Sequence, residues 1–183
     1  VAEAVAQLPS PPAFILNLQG DAPLTPPDFL TAMIEAYAAS PCDVITPVTQ
    51  LSWTELDALR EQKRITPLSG TTAVFRPDTG QAHWFSKQIL PAIRKEDTLR
   101  SASPFSPVYR HIGLYGYSAA MLRAYSTLPE SHYETLEGLE QLRLLEQGYY
   151  IRCVPVSYNG RLSMSGVDSP EDIIRAEALL VGR

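Results

Sequence analysis

Residues 14–30 read FILNLQGDAPLTPPDFL, and the fold turns on how this stretch is understood. Ala13–Leu18 is almost wholly apolar, as expected for a strand covered on both faces. It runs directly into Gln19-Gly20-Asp21, and three prolines follow at 23, 26 and 27. Thr25-x-x-Asp28 has the spacing of a capping box, so a helix is expected to start there with Pro26 at its first position. A strand that meets a helix through a Gly-Asp turn is the edge at which open α/β sheets bind ligands. Gly20 has no side chain, which lets a ligand approach the backbone. A carboxylate at that edge suits Mg²⁺, which takes one or two protein carboxylates and leaves its other positions to water and phosphate oxygens. An Asx turn that ends the strand is the other reading of Asp21.

Beyond this stretch, strand-like runs alternate with helix-like ones. The further strands are expected at Asp43–Thr49, Thr72–Phe75, His83–Ser86, Ile112–Tyr117 and Tyr149–Val156. Ser52-x-x-Glu55, Ser131-x-x-Glu134 and Ser169-x-x-Asp172 mark further helix starts, the last with Pro170 at its first position. The pattern reads as α/β with a largely parallel sheet. Residues 96–109, EDTLRSASPFSPVY, read as a long surface loop. Asp168, just before the cap Ser169, is a second acid where an extended segment meets a helix, and it could share a metal with Asp21. A turn acid, or a charge favoured by the helix N-terminus, is the alternative.

SHYETLEGLEQLRLLEQG, residues 131–148, reads as one helix ending at Gly148. Its leucines point nearly all round, so it is expected to be buried on several sides. Glu137, Glu140 and Gln141 share a narrow polar sector that is either a solvent stripe or one wall of a pocket for a polyhydroxylated ligand. In YRHIGLYGYSAAML, residues 109–122, glycines alternate with large residues, which marks close approach of a backbone or a ligand. His111 stands at the start of that strand, as a structural hydrogen-bonder or a ligand contact.

The bulk composition excludes several classes. The chain has 183 residues, 45% hydrophobic and 19% charged, which fits a single globular domain over 1–183. Net charge is −5 and no basic run exceeds two residues, so no nucleic-acid surface is expected. No apolar run approaches the ~20 residues that span a bilayer, and no signal peptide is expected. Cys42 and Cys153 lie far apart without metal-ligand spacing and read as small buried thiols.

Five motifs in order, NLQGDAPL, AHWFSKQILP, HIGLYGY, LEGLEQLRLLEQG and GVDSPEDIIRAEALL, resemble those of the 3-deoxy-manno-octulosonate cytidylyltransferases (CMP-Kdo synthetases). The likeness runs from about Val1 to Leu180 and is weakest over Leu51–Thr71. It implies a nucleotide-diphospho-sugar transferase-like (Rossmann-like) fold, a mixed, mostly parallel sheet flanked by helices. It also implies transfer of CMP from CTP to the anomeric hydroxyl of the sugar acid Kdo, with release of pyrophosphate and dependence on Mg²⁺. A cytoplasmic homodimer serving lipopolysaccharide or capsule assembly is implied as well. Carried over by position, Asp21 and Asp168 correspond to the metal-binding carboxylates. Gln19 and Gly20 fall beside the sugar, and His111, Tyr115, Glu140 and Gln141 correspond to sugar contacts. Lys87 stands where the family usually has Arg, and it offers charge to the sugar carboxylate without a bidentate fork.

The sequence departs from the family at Ala22, where Glu is usual, and at Ser118, where Arg often stands. A related substrate, sialic-type or amino-substituted Kdo, is therefore an alternative, as is a non-catalytic paralogue. The chain begins Val1-Ala2-Glu3 without Met, and no Gly/Arg/Lys-rich phosphate loop is found. The expectation is a C-terminal two-thirds of the enzyme that lacks the nucleotide half and does not turn over alone.

Overall fold

The structure, a computed structural model, describes residues 1–161, 167 and 170–181. In chain order the elements are α1 (Ala2–Ala6), β1 (Phe14–Asn17), α2 (Pro27–Ala39), β2 (Val44–Ser52), α3 (Trp53–Ile65), β3 (Thr72–Phe75), β4 (Ala82–Ser86), α4 (Glu96–Ala102), β5 (Phe105–His111), β6 (Tyr115–Ser118), α5 (Ala119–Tyr125), α6 (His132–Glu137), α7 (Gln141–Glu146), β7 (Ile151–Val156) and α8 (Pro170–Val181).

Among the described residues the strands form one sheet in the order β1-β6-β2-β5-β3-β4, with β7 on the other edge of β2. The class is α/β as expected, but the sheet is mostly antiparallel, which corrects the parallel reading. Only β2 and β7 pair in parallel among the described strands. The pairs β1·β6, β2·β5, β2·β6, β3·β4 and β3·β5 are antiparallel. The reason lies in the connections. Helical crossovers keep β1, β2 and β7 running the same way, yet β6 inserts between β1 and β2 in the opposite direction. Strands β3 and β4 are joined by a short turn, which permits antiparallel pairing alone. The sheet also curls, since Gln81 bridges Arg152 and the Cys153 N–H donates to the Gly80 carbonyl at 2.7 Å.

The central strand is β2, whose first five residues are all buried. Its period of two sends Val44 and Val48 to one core, with Phe85, Leu142 and Ile151. Ile45 goes to the other, with Phe29 and Met33 of α2. A third cluster, Leu51, Trp53, Leu56, Leu59 and Val108, seats α3 at the far end. By contrast β1 lies at the sheet edge with Ile15 alone buried, so it is not covered on both faces. Its Phe14 ring stacks on Tyr37 of α2, with centroids 4.2 Å apart.

Several local expectations change. Pro26, not Thr25, is the N-cap of α2, and Pro27 takes the first turn. Asp28 pairs with Arg161 instead of reaching back to a cap. The capping box at Ser52 forms, with the Ser52 N–H donating to Glu55 Oε2 at 2.8 Å and Oγ accepting from the Glu55 N–H at 3.2 Å. Residues 96–109 are not a loop. Glu96 accepts from Arg60 and Arg100, which anchors α4 beside α3. In β5 the alternation of buried Ser106 and Val108 with exposed neighbours had been hidden by Pro104 and Pro107. The expected helix over 131–148 is two helices, because Gly138 turns left-handed at φ 62° between α6 and α7. Ser169 lies outside the described residues.

Candidate active site

The site starts from a fault in the sheet. Strands β5 and β6 run one after the other along β2, but Ile112–Leu114 leaves the ladder between them. The buried Thr46 hydroxyl fills the gap, 2.8 Å from the Leu114 carbonyl, 3.3 Å from that of Ile112 and 2.9 Å from His111 Nε2. The hydroxyl has one proton. With Leu114 taking it, Nε2–H of a neutral His111 donates to Oγ1. The protonation is consistent, since burial, and then the charge of Lys87, pushes the His111 pKa down to about 3. Its ring lies between Phe85 and Tyr115, at 5.1 and 5.4 Å between centroids. Burial likewise raises the Tyr115 phenol well above its ordinary value, so it stays a donor.

The fault opens a cavity of about 450 Å³. Of the residues singled out from sequence, Gln19, Lys87, His111, Tyr115, Glu140 and Gln141 line it together, although they come from six separate elements or loops. The polar sector at 140–141 thus lies on a pocket wall. The helix break at Gly138, itself in the lining, turns Leu139, Glu140 and Gln141 into the cavity wall. Glu140 is exposed and accepts from the Tyr125 hydroxyl at 3.4 Å. Gln141 is buried at 4% exposure, and its Nε2 has no partner among the described residues.

The neighbouring groups explain why the walls hold their places. The Glu137 carboxylate accepts from Ser86 Oγ and the Lys87 N–H, both at 2.8 Å, and so joins α6 to the exit of β4. Lys63 Nζ of α3 donates to the carbonyls of Ser69, Gly70 (3.1 Å) and Lys87 (2.5 Å). It ties the Gly70–Thr71 wall to the Lys87 wall. Burial, and then the charges of Lys87 and Arg110, lower the Lys63 pKa. The nearly buried pair Arg143–Glu134 braces α7 against α6.

Asp21 lies at the mouth of a smaller recess of about 60 Å³ that shares Gln19, Ile112, Gly113 and Tyr158 with the main cavity. It is exposed, and its carboxylate has no hydrogen bond or ion pair among the described residues. Its backbone carbonyl accepts from the Val167 N–H at 2.8 Å, so residue 167 docks on the Gln-Gly-Asp turn. Asp168 itself lies outside the described residues. Gly20 lines neither cavity, and a Cβ there would meet nothing within 4 Å. The glycines of 112–117 divide in role. Gly113 is open and lines the cavity, while a Cβ on Gly116 would press on the Phe14 ring and on Ile45 Cγ2 at 2.7 Å.

Sequence reasoning missed Arg110, Thr71 and Tyr158 in the lining. For Arg110 the sequence offered only its place directly before His111, since the strand that ends there, β5, was not expected. Tyr158, in the segment after β7, carried no signal.

Comparison with known proteins fits this geometry. Residues 1–153 match the sequence profile of the family described as cytidylyltransferase. The 3-deoxy-manno-octulosonate cytidylyltransferase of Maricaulis maris is 39% identical over 179 residues, 97% of this chain and 66% of the relative. That of Anaeromyxobacter dehalogenans is 36% identical over 181 residues, 98% and 66%. The Syntrophotalea carbinolica protein of the same name is 38% identical over 188 residues, 100% and 68%. A solved structure of CMP:2-keto-3-deoxy-manno-octonic acid synthetase complexed with CTP matches with a TM-score of 0.78 at 27% identity, covering 99% of this chain and 66% of that one. The chain therefore spans about two thirds of the length of the relatives it matches.

Proposed function

This chain belongs to the cytidylyltransferase family, and on that premise we propose that it carries the sugar-acid half of an enzyme that transfers CMP from CTP to the anomeric hydroxyl of Kdo. The observation that carries the reading is the single cavity lined by Gln19, Lys87, His111, Tyr115, Glu140 and Gln141. A volume of about 450 Å³ suits a small polyhydroxylated ligand.

In this reading each group has one task. Glu140 accepts hydrogen bonds from ring or side-chain hydroxyls, and the unpartnered Gln141 Nε2 donates one. Tyr115 stays protonated and donates, while neutral His111 shapes the wall without bringing charge. Lys87 faces the sugar carboxylate. Gln19, shared by both recesses, sits between the sugar and the Asp21 turn. The anomeric oxygen attacks the α-phosphorus of CTP in line, the O–P bond forms, the bond to the β,γ-diphosphate breaks, and the hydroxyl proton leaves to solvent. The protein's share of this is positioning.

Asp21 fits Mg²⁺: an exposed hard oxygen donor, without a protein partner among the described residues, beside the sugar cavity. Asp168 is its proposed companion. Bound there, Mg²⁺ would offset α-phosphate charge and acidify the attacking hydroxyl. The proposal extends to a homodimer in the cytoplasm that supplies lipopolysaccharide or capsule assembly. No helix among the described residues is long and apolar enough to cross a membrane.

The test is pyrophosphate release from CTP and Mg²⁺ across a panel of Kdo, amino-substituted Kdo and a sialic-type acid, with any natural flanking sequence retained. Highest kcat/KM with Kdo supports the substrate. Preference for another acid replaces it, and silence with every acid refutes the activity.

A further inference from the structure

Among the described residues, eight cationic side chains are partly buried. Arg60, Arg100, Arg143 and Arg161 are each in a salt bridge, and Lys63 and Arg152 donate to backbone carbonyls. The remaining two, Lys87 and Arg110, have no side-chain hydrogen bond or ion pair among the described residues, and both line the same cavity. Taking charge partly out of water without a partner is costly. Two such cations in one cavity suit an anionic ligand.

The backbone brings them together across three strands. Arg110 on β5 is in register with Thr72 on β3, and Thr72 with Ser86 on β4, the residue before Lys87. Two strand spacings are about 10 Å; the register sets Arg110 on the face of Ser86, Lys87 leaves from the next residue beyond the end of β4, and both line the cavity, Arg110 also lining a recess with Glu55 of α3. Lys63 fixes the Lys87 backbone and the Gly70–Thr71 wall from behind. The same lining carries Glu140 and Gln141, so the cavity combines cationic groups with groups that bind hydroxyls.

Resting on the function proposed above, we propose that Arg110 is a specificity-determining residue that binds the carboxylate of the sugar acid by its guanidinium fork. Lys87 is a compact point charge and cannot hold both oxygens of a carboxylate in plane. Arg110 supplies the bidentate geometry that Lys87 lacks, and together they select an acid sugar over a neutral one. A neutral sugar would leave both cations uncompensated.

The experiment uses Arg110→Gln and Arg110→Lys in the protein with any natural flanking sequence retained, with Kdo, Kdo methyl ester and CTP as probes. KM for Kdo is expected to rise about 10- to 100-fold in Arg110→Gln, the worth of a charged hydrogen-bonded contact. KM for CTP is expected to stay within about twofold, because the fork serves the sugar and not the phosphates. Discrimination between Kdo and its uncharged methyl ester, read by competition, is expected to collapse by the same factor. Arg110→Lys, which keeps charge and length, is expected to recover part of the loss and serves should the Gln variant fail to fold. Unchanged acid-over-ester discrimination in either variant overturns the assignment, as does a rise in KM for CTP without one for Kdo. A wild-type protein that ignores Kdo but shows an Arg110-dependent preference for another sugar acid refutes the Kdo reading alone.

Discussion

Gln141 carries a cost in the free protein that a sugar would remove. Its side chain is 4% exposed and Nε2 is without a partner among the described residues. A buried donor left unmade costs about 1–3 kcal/mol. Gln141→Met keeps the length of the side chain, has similar helix propensity and deletes the donor. It is therefore expected to stabilise the free protein by about 1–3 kcal/mol, a rise in Tm of about 2–12 °C for a domain of this size. The same change removes a hydrogen bond to the sugar and leaves a hydroxyl unmatched, so KM for Kdo is expected to rise about tenfold or more. Thermal unfolding without ligand and steady-state kinetics with Kdo read the two effects separately. The two effects are expected to have opposite signs, a more stable protein that binds sugar less well. A variant with lower Tm and unchanged KM would refute it, because Gln141 would then be a satisfied core residue.

Three other expectations follow from the same geometry. His111 titrates near 6.5 when unfolded and about 3 when folded, so its contribution is complete above pH 6.5 and is lost as pH falls toward 3. The unfolded state alone takes the proton in that window, which erodes stability by about 1.4 kcal/mol per pH unit, or about 2 kcal/mol between pH 6.5 and 5. Urea unfolding of His111→Gln should show a shallower slope there, and equal slopes would remove the burial argument. Gly116→Ala should cost about 1–3 kcal/mol by overpacking Phe14 and Ile45, read as a lower urea midpoint. An unchanged midpoint would mean that β1 and β6 are not packed so closely. Lys63→Met, which releases the Gly70 and Lys87 carbonyls, should raise KM for Kdo more than KM for CTP. An equal rise in both would make Lys63 a general support of α3.

How much was legible in the sequence depends on which force sets each feature. The α/β class and most strands follow from apolar periodicity, and β3 is found at its expected bounds, Thr72–Phe75. Strand direction was not legible, because β6 enters between two parallel neighbours through tertiary pairing that leaves no local mark. Strand β5 was concealed by two prolines and an inward serine, Ser106, although Gln50 Nε2 and Leu51 O satisfy its backbone carbonyl and hydroxyl. The split of residues 131–148 turned on Gly138, which a helix tolerates in principle and here adopts φ 62°. Six of the expected sugar-site residues share one cavity because motif order encodes them. Arg110 was overlooked because a single basic residue carries no chemistry until its lack of a partner is seen.

The most direct test is pyrophosphate release with CTP, Kdo and Mg²⁺, comparing the wild-type protein with Asp21→Asn, any natural flanking sequence retained. Release is expected to require both Kdo and Mg²⁺ and to fall about a hundredfold or more in the variant, the scale of losing a charged group that acts in the transition state. Kdo-dependent release at the wild-type rate in Asp21→Asn would contradict the placement of the metal at the Gln-Gly-Asp turn.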